Sequence, residues 1–154
     1  MDPDTRIREL ALELPPPCGI VASGDCPPLV IEGNLGYIAR HGPFLPGGRM
    51  MTGKVGSNLD ASLAFNAARQ TGLSILATLK DQMGHFARVR RLVKSLVIIN
   101  CTSDFIQHPH VADGFSTLFV DVFGEDRGLG VRSAIGVSSL PGDVPIATEI
   151  VIAI

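Results

Sequence analysis

The chain has no tryptophan, one tyrosine and seven phenylalanines. Proteins that grip single-stranded nucleic acid stack its bases on aromatic rings, and few are on offer here. An excess of positive charge is missing too: 13 Lys and Arg stand against 15 Asp and Glu, for a formal net charge of −2. That balance leaves no electrostatic footprint for a polyanion. The locally basic stretch Arg88-Val-Arg-Arg-Leu-Val-Lys94 reads as the solvated start of a strand rather than an RNA track. No apolar run approaches the ~20 residues of a membrane helix. The charged opening MDPDTRIREL lacks the apolar core of a signal peptide. The three cysteines, Cys18, Cys26 and Cys101, are odd in number and far apart, and read as reduced thiols in a cytoplasmic protein. Neither nucleic acid nor membrane is an expected partner.

Charge is scarce altogether. Charged residues make up 18% of the chain and hydrophobic ones 45%, against about 25% charged in ordinary soluble domains. A chain of 154 residues suits one domain with its own core. The apolar surplus beyond that core points to a buried subunit interface.

Ile7, Leu10, Ala11 and Leu14 fall at helical spacing, which predicts a short amphipathic helix over about 5–14 that Pro15-Pro-Pro17 stops. Residues 18–28 read as irregular. Two β-rich runs flank Gly33-Asn34, a two-residue hairpin signal. Pro43 to Gly48 reads as a loop, and Arg49–Thr52 as a third short strand. Asn58 or Asp60 can cap a helix over about 60–83, whose stripe is Ala61, Phe65, Ala68, Gly72, Ile75, Leu79 and Met83. Gly84 can end it.

Residues 89–100 alternate, with Val93, Ser95, Val97 and Ile99 on one face and Lys94, Leu96 and Ile98 on the other. Both faces are largely apolar, so the strand belongs inside a sheet. A second helix over about 110–123 turns Val111, Phe115, Leu118, Phe119 and Phe123 inward and stops at Gly124. Strands over about 130–137 and 145–153 flank the turn Leu140-Pro-Gly-Asp143. The order ββ(β)αβαββ gives an α+β class: a mixed β-sheet with two helices packed on one face.

Three constellations invite chemistry. Gly48-Arg-Met-Met-Thr-Gly53-Lys54-Val55 nearly spells a phosphate-binding loop, but Val55 stands where Ser or Thr must hold magnesium. Cys101, His108 and His110 match no standard zinc spacing, and no metal is expected. The third is Arg132, a fixed positive charge in the apolar ending Gly130–Ile154. A buried arginine cannot lose its proton, so an anion must meet it. Two anions are open: Glu149 on a neighbouring strand, or the carboxylate of a ligand held by the planar fork.

Arg132-Ser-Ala-Ile-Gly-Val137, followed by Leu140-Pro141 and a last strand with Glu149, resembles the signature of the RidA/YjgF family, also called endoribonuclease L-PSP. The resemblance covers roughly residues 26–154. It includes the Gly33-Asn34 hairpin, Gly53-Lys-Val-Gly56, the long first helix and Val93–Asn100. Within the family the chain looks most like a branch with the pattern VFGE…RSAxGV, met here as Val122-Phe-Gly-Glu125 and Arg132–Val137. The resemblance implies an N-terminal extension over residues 1–17 and one domain over 18–154. It implies a chorismate-mutase-like (YjgF-like) fold, assembled as a homotrimer around a central trimeric barrel with clefts between subunits.

In such a cleft Arg132 would bind the carboxylate of a small metabolite, and no cofactor would be needed. Family members with known activity hydrolyse 2-imino or 2-enamino acids to 2-keto acids and ammonia. The implied site comprises Arg132 and Glu149 as catalytic candidates, with Arg40, Cys26, Ala39 and Ala147 at the ligand.

The chain departs from the family pattern around that anchor. Cys26 stands for the usual cleft tyrosine, and Ala39-Arg40 for the usual Ser-Gly. Ala147 replaces the glutamate credited with handling water, while Glu149 lies two residues on. Ala112 stands where asparagine is common. Arg40 could add a second positive charge, or be a plain surface arginine beside His41. Three functions remain open: an imine deaminase, a non-catalytic binder of metabolite carboxylates, and the ribonuclease of the older family label. The net charge of −2 fits the third poorly.

Overall fold

A computed structural model of the chain describes residues 1–18 and 26–154. Most of the irregular stretch expected over 18–28 lies outside the described residues. The elements in order are α1 (Pro3–Glu9), β1 (Leu29–Glu32), β2 (Leu35–His41), α2 (Ala61–Met83), β3 (Arg91–Asn100), α3 (His108–Phe123), α4 (Glu125–Gly128), β4 (Val131–Val137) and β5 (Ile146–Ala153). One mixed sheet runs β1-β2-β5-β3-β4. Among the described strands the parallel pair is β3 with β4, joined through α3, as a parallel crossover requires. The expected α+β sheet with two long helices on one face is what forms.

Gly33 supplies the positive φ of the β1–β2 turn, at 62°, and Glu32 pairs with Leu35 across it. Asp60 caps α2 by accepting the Leu63 N–H at 2.8 Å. Gly84 and Gly124 end α2 and α3 with positive φ.

Three expectations shift. The first helix is Pro3–Glu9, because Asp2 caps it and its side chain accepts the Thr5 N–H; the chain then turns at Ala11, φ 50°. Arg49–Thr52 forms no strand, since Met50 bridges back to Phe44 within its own loop. In β3 the register slips between Leu92 and Lys94. Leu92 therefore joins Ser95, Val97 and Ile99 in the core, and Val93 does not.

The core lies between the sheet and the two long helices. Thr71 to Leu79 of α2 are buried without a break, more than one stripe would give. The sheet lies beneath that stretch, α3 lies beside it, and the loop after β2 covers the remainder. The polar groups sealed there are paired: Thr71 Oγ1 meets Thr148 Oγ1 at 2.8 Å, Ser74 Oγ accepts the Phe44 N–H, and Thr78 Oγ1 lies 2.7 Å from His41 Nε2. His41 Nδ1 lies 2.5 Å from the Ala39 carbonyl, so that nitrogen carries the proton. Among the described residues no buried side-chain polar atom lacks a partner, as a sealed polar row requires. α1 lies against α3, where Arg6 Nε donates to the Asp121 carbonyl at 3.0 Å.

Two predictions follow from this packing. A Cβ on Gly114 would strike the Phe65 carbonyl of α2, so Gly114→Ala should cost about 3 kcal/mol, read as a lower urea midpoint. Burial holds the His41 imidazole below its ordinary value near 6.5, despite the opposing Ala39 carbonyl. The unfolded chain therefore takes up this proton first as pH falls. Stability should drop from pH 6.5 down to the lowered native value and then level off. His41→Gln should flatten that stretch of a stability–pH curve.

Candidate functional site

Among the described residues β4 is an edge strand that pairs only with β3, and its register places Arg132 opposite Ser95. Ser95 is a core residue beneath the helices, so Arg132 turns toward α3. There Asp113 and Ser116, one helical turn apart, receive it. Arg132 Nη1 donates to Asp113 Oδ1 at 2.8 Å and to Ser116 Oγ at 3.1 Å. Its Nε and Nη2 have no partner among the described residues. The side chain is 26% exposed and lines a cavity of about 430 Å³ with Asp113, Ser116, Thr117, Asp121 and Glu125. The anion that meets Arg132 within the chain is therefore Asp113, and the Glu149 pairing does not form. β5 lies on the far side of β3. Glu149 registers with Leu96, which registers with Ser133, and so projects from the opposite face of the sheet.

That opposite face carries a second cavity, of about 470 Å³. Glu149, Cys26, Ala39, Lys94, Tyr37 and Leu96 are among its lining residues. Three site candidates, Glu149, Cys26 and Ala39, are thus brought together, apart from Arg132. Ala147 is buried beside Leu140 and Val144 and lines neither cavity. Arg40 is exposed at the irregularity between Ile38 and His41, also outside both. Ala112 is buried on the core side of α3.

Lys54 of the phosphate-loop lookalike is a latch. Its Nζ donates to Asn100 Oδ1 at 2.8 Å and to the Ser138 carbonyl, tying the loop to the ends of β3 and β4. Cys101 Sγ lies 3.8 Å from His108 Nε2, and burial pushes its thiol up despite nearby Lys54. His110 instead stacks on Phe65 at 5.5 Å. Among the described residues no three metal-ligating side chains converge. Sequence reasoning missed Asp113 and Ser116. Their signal was the spacing of two polar residues on the helix that immediately precedes the arginine strand.

Among known proteins, a family model described as "YjgF/chorismate_mutase-like, putative endoribonuclease" matches residues 4–139. Protein TCP17 of Trypanosoma cruzi is 37% identical over 94 residues, which are 61% of this chain and 59% of that protein. The match thus spans about 59% of the curated relative's length. A crystal structure of a protein of unknown function from Agrobacterium tumefaciens shares 29% identity with a TM-score of 0.88, over 99% of this chain and 93% of that one. A "putative endoribonuclease" from Shewanella oneidensis superposes over the full length of both chains with a TM-score of 0.93 at 24% identity.

Proposed function

This chain belongs to the YjgF/chorismate mutase-like family, and from that premise we propose that it is a homotrimeric hydrolase of small 2-imino or 2-enamino acids. The observation that carries the reading is the Arg132 fork. One of its nitrogens is tethered to α3, and the other two are uncommitted at a cavity. A carboxylate can take that edge with two parallel hydrogen bonds. The clamp fixes the C=N carbon for water. Water's oxygen bonds to that carbon as the π pair moves onto nitrogen, which takes a proton. The carbinolamine then releases ammonia and leaves a 2-keto acid. Such a substrate is reactive already, so orientation is the main contribution asked of the protein.

The trimer supplies what one chain leaves open. The sheet face opposite the helices carries Tyr37, 47% exposed, Val131, 68%, and Ile135, 45%. Three such faces turned toward a common axis would cover them. Glu149 and its cavity then belong to the clefts between subunits, not to the Arg132 cavity of the same chain. The alternative, a trimer that binds metabolite carboxylates without turnover, draws on that same separation of Glu149 from Arg132. The ribonuclease reading is disfavoured, because Asp113, Asp121 and Glu125 around Arg132 repel phosphates.

Imino acids generated in situ should be hydrolysed faster with the protein, and Arg132→Ala should cut the acceleration by about 100-fold. Carboxylate binding that persists with no acceleration would favour the binder. Light scattering of the wild type should report three chains. The double variant Val131→Asp/Ile135→Asp should run as a monomer, and a monomeric wild type would overturn the assembly.

A further inference from the structure

At the end of β4 far from Arg132, a thiol and an imidazole face the same open space. Cys101 follows β3 and His108 opens α3, and Cys101 Sγ lies 3.8 Å from His108 Nε2. Both line a cavity of about 340 Å³ with Thr102, Phe105, Gly136 and Ser138. Cys101 is 8% exposed. Phe105 stands edge-on to the imidazole at 5.5 Å and fixes its plane. A Cβ on Gly136 would lie 2.6 Å from Nε2 and 2.8 Å from Sγ. Glycine at 136 therefore keeps open a point within reach of both donor atoms. A thiol is a weak hydrogen-bond donor, so their mutual contact is a slight reason for bringing the two together.

We infer that this cavity binds a soft monovalent metal ion of the copper(I) class, with Cys101 Sγ and His108 Nε2 as its two protein ligands. Bonds of about 2.3 Å to sulfur and about 2.0 Å to nitrogen span the 3.8 Å gap without moving β3 or α3. Thiolate is the donor that soft ions select, and imidazole suits copper as well. Zinc asks for three or four protein ligands, and among the described residues no three metal-ligating side chains converge. Charge argues the same way. The Lys54 ammonium is held on Asn100 Oδ1 and the Ser138 carbonyl, at the edge of the cavity that Ser138 lines. A thiolate with a monovalent ion adds no net charge beside it, whereas a divalent ion adds one and is repelled. On binding, the S–H proton leaves to water and an Sγ–metal bond takes its place, so one proton is released per ion. Burial raises the Cys101 thiol despite Lys54, and the metal-free thiol keeps its proton at neutral pH. The rest of the ion's coordination faces the cavity, open to water or to an exogenous thiol.

Anaerobic competition with bicinchoninate, whose copper(I) complex is coloured, tests this on the full chain. The variant Cys18→Ser/Cys26→Ser leaves Cys101 as its one thiol. It should withdraw one equivalent of copper(I) and bind zinc(II) far more weakly. The Nε2 resonance of His108 should shift as copper(I) is added. In that background His108→Gln should weaken copper(I) by at least about 100-fold, since even outer-shell partners of a metal are worth ~10–100-fold. Gly136→Ala, which fills the shared point, should weaken it too. Arg132→Ala should leave it unchanged, so the imine hydrolase reading stands or falls separately. Unchanged affinity in His108→Gln would reduce the site to a lone thiol and overturn the inference. Zinc(II) bound as tightly as copper(I) would overturn it as well, as would a failure to withdraw copper(I) at all. If His108→Gln does not fold, the Nε2 resonance decides: a shift supports the pair of ligands, and a resonance that stays in place overturns it.

Discussion

A sheet with both of its long helices on one side has to dispose of its other face. That constraint shapes most of this molecule. On the covered side, Ile146, Thr148, Ile150 and Ile152 of β5 are buried beneath α2 and α3. On the open side the same strand presents Glu149, Val151 and Ala153, with Ala147 already under Leu140 and Val144, and is flanked by Lys94, Leu96 and Ile98 of β3. Of these only Lys94 and Glu149 are charged, in a chain where charged residues are just 18%. Sheets that expect water on one face show a cleaner alternation of apolar and polar residues. The composition and the topology therefore agree: this face is more apolar than a water-facing sheet face, as the proposed assembly requires.

The covered side is held by unusually close contacts. α3 approaches α2 at Gly114 and Gly72, where any Cβ would strike the Phe65 carbonyl or the Leu118 side chain. α4 reaches α3 at Gly128 in the same way, against the Phe119 carbonyl. Such approach fixes α3, and α3 carries Asp113 and Ser116. The position of the Arg132 tether is therefore set by helix packing rather than by a loop, and sites built on packed elements hold their geometry better. At the other end of the parallel pair, Asn100 gathers the Lys54 ammonium on its oxygen and the carbonyls of Gly53 and Val144 on its nitrogen. A lysine that looked like half of a phosphate site thereby ties its loop to the ends of β3 and β4.

Much of this was readable in advance because its causes are local. The Gly33 turn, the Asp60 cap and the glycine stops of α2 and α3 depend on a few adjacent residues. So does the burial of Val111, Phe115, Leu118, Phe119 and Phe123, which follows from helical period alone. The misreadings share a different cause. Arg49–Thr52 has strand-like composition, yet Met50 finds its partner in Phe44, inside the same loop. Val93 alternates correctly in sequence, but it is itself the position left without a partner on β5, so Leu92 takes its place in the core. The Arg132–Glu149 pairing assumed that the last two strands are neighbours. They are consecutive in sequence, but β3 lies between them, and no local pattern encodes that. The RSAxGV resemblance marked Arg132 without naming its partner, because the partner sits on α3.

The strength of the Arg132–Asp113 contact argues for its purpose. Asp113 is 52% exposed and Arg132 26%, and an ion pair in such a setting contributes roughly 0–1 kcal/mol to stability. Holding the fold is therefore a weak reason to place a fixed charge in an apolar edge strand. A short hydrogen-bonded contact that stabilises little can still define direction, since it removes rotamers of a long side chain. With Nη1 held, the guanidinium plane is set and its remaining edge has one orientation relative to the cavity. A free surface arginine would lose that rotamer entropy when a ligand arrived. Here the loss has largely been met on folding, which on the proposed reading would lower the cost of binding without adding a contact. The tether also cannot be replaced by lysine at position 132, because one ammonium cannot hold Asp113 and Ser116 on one side while presenting a planar fork on the other.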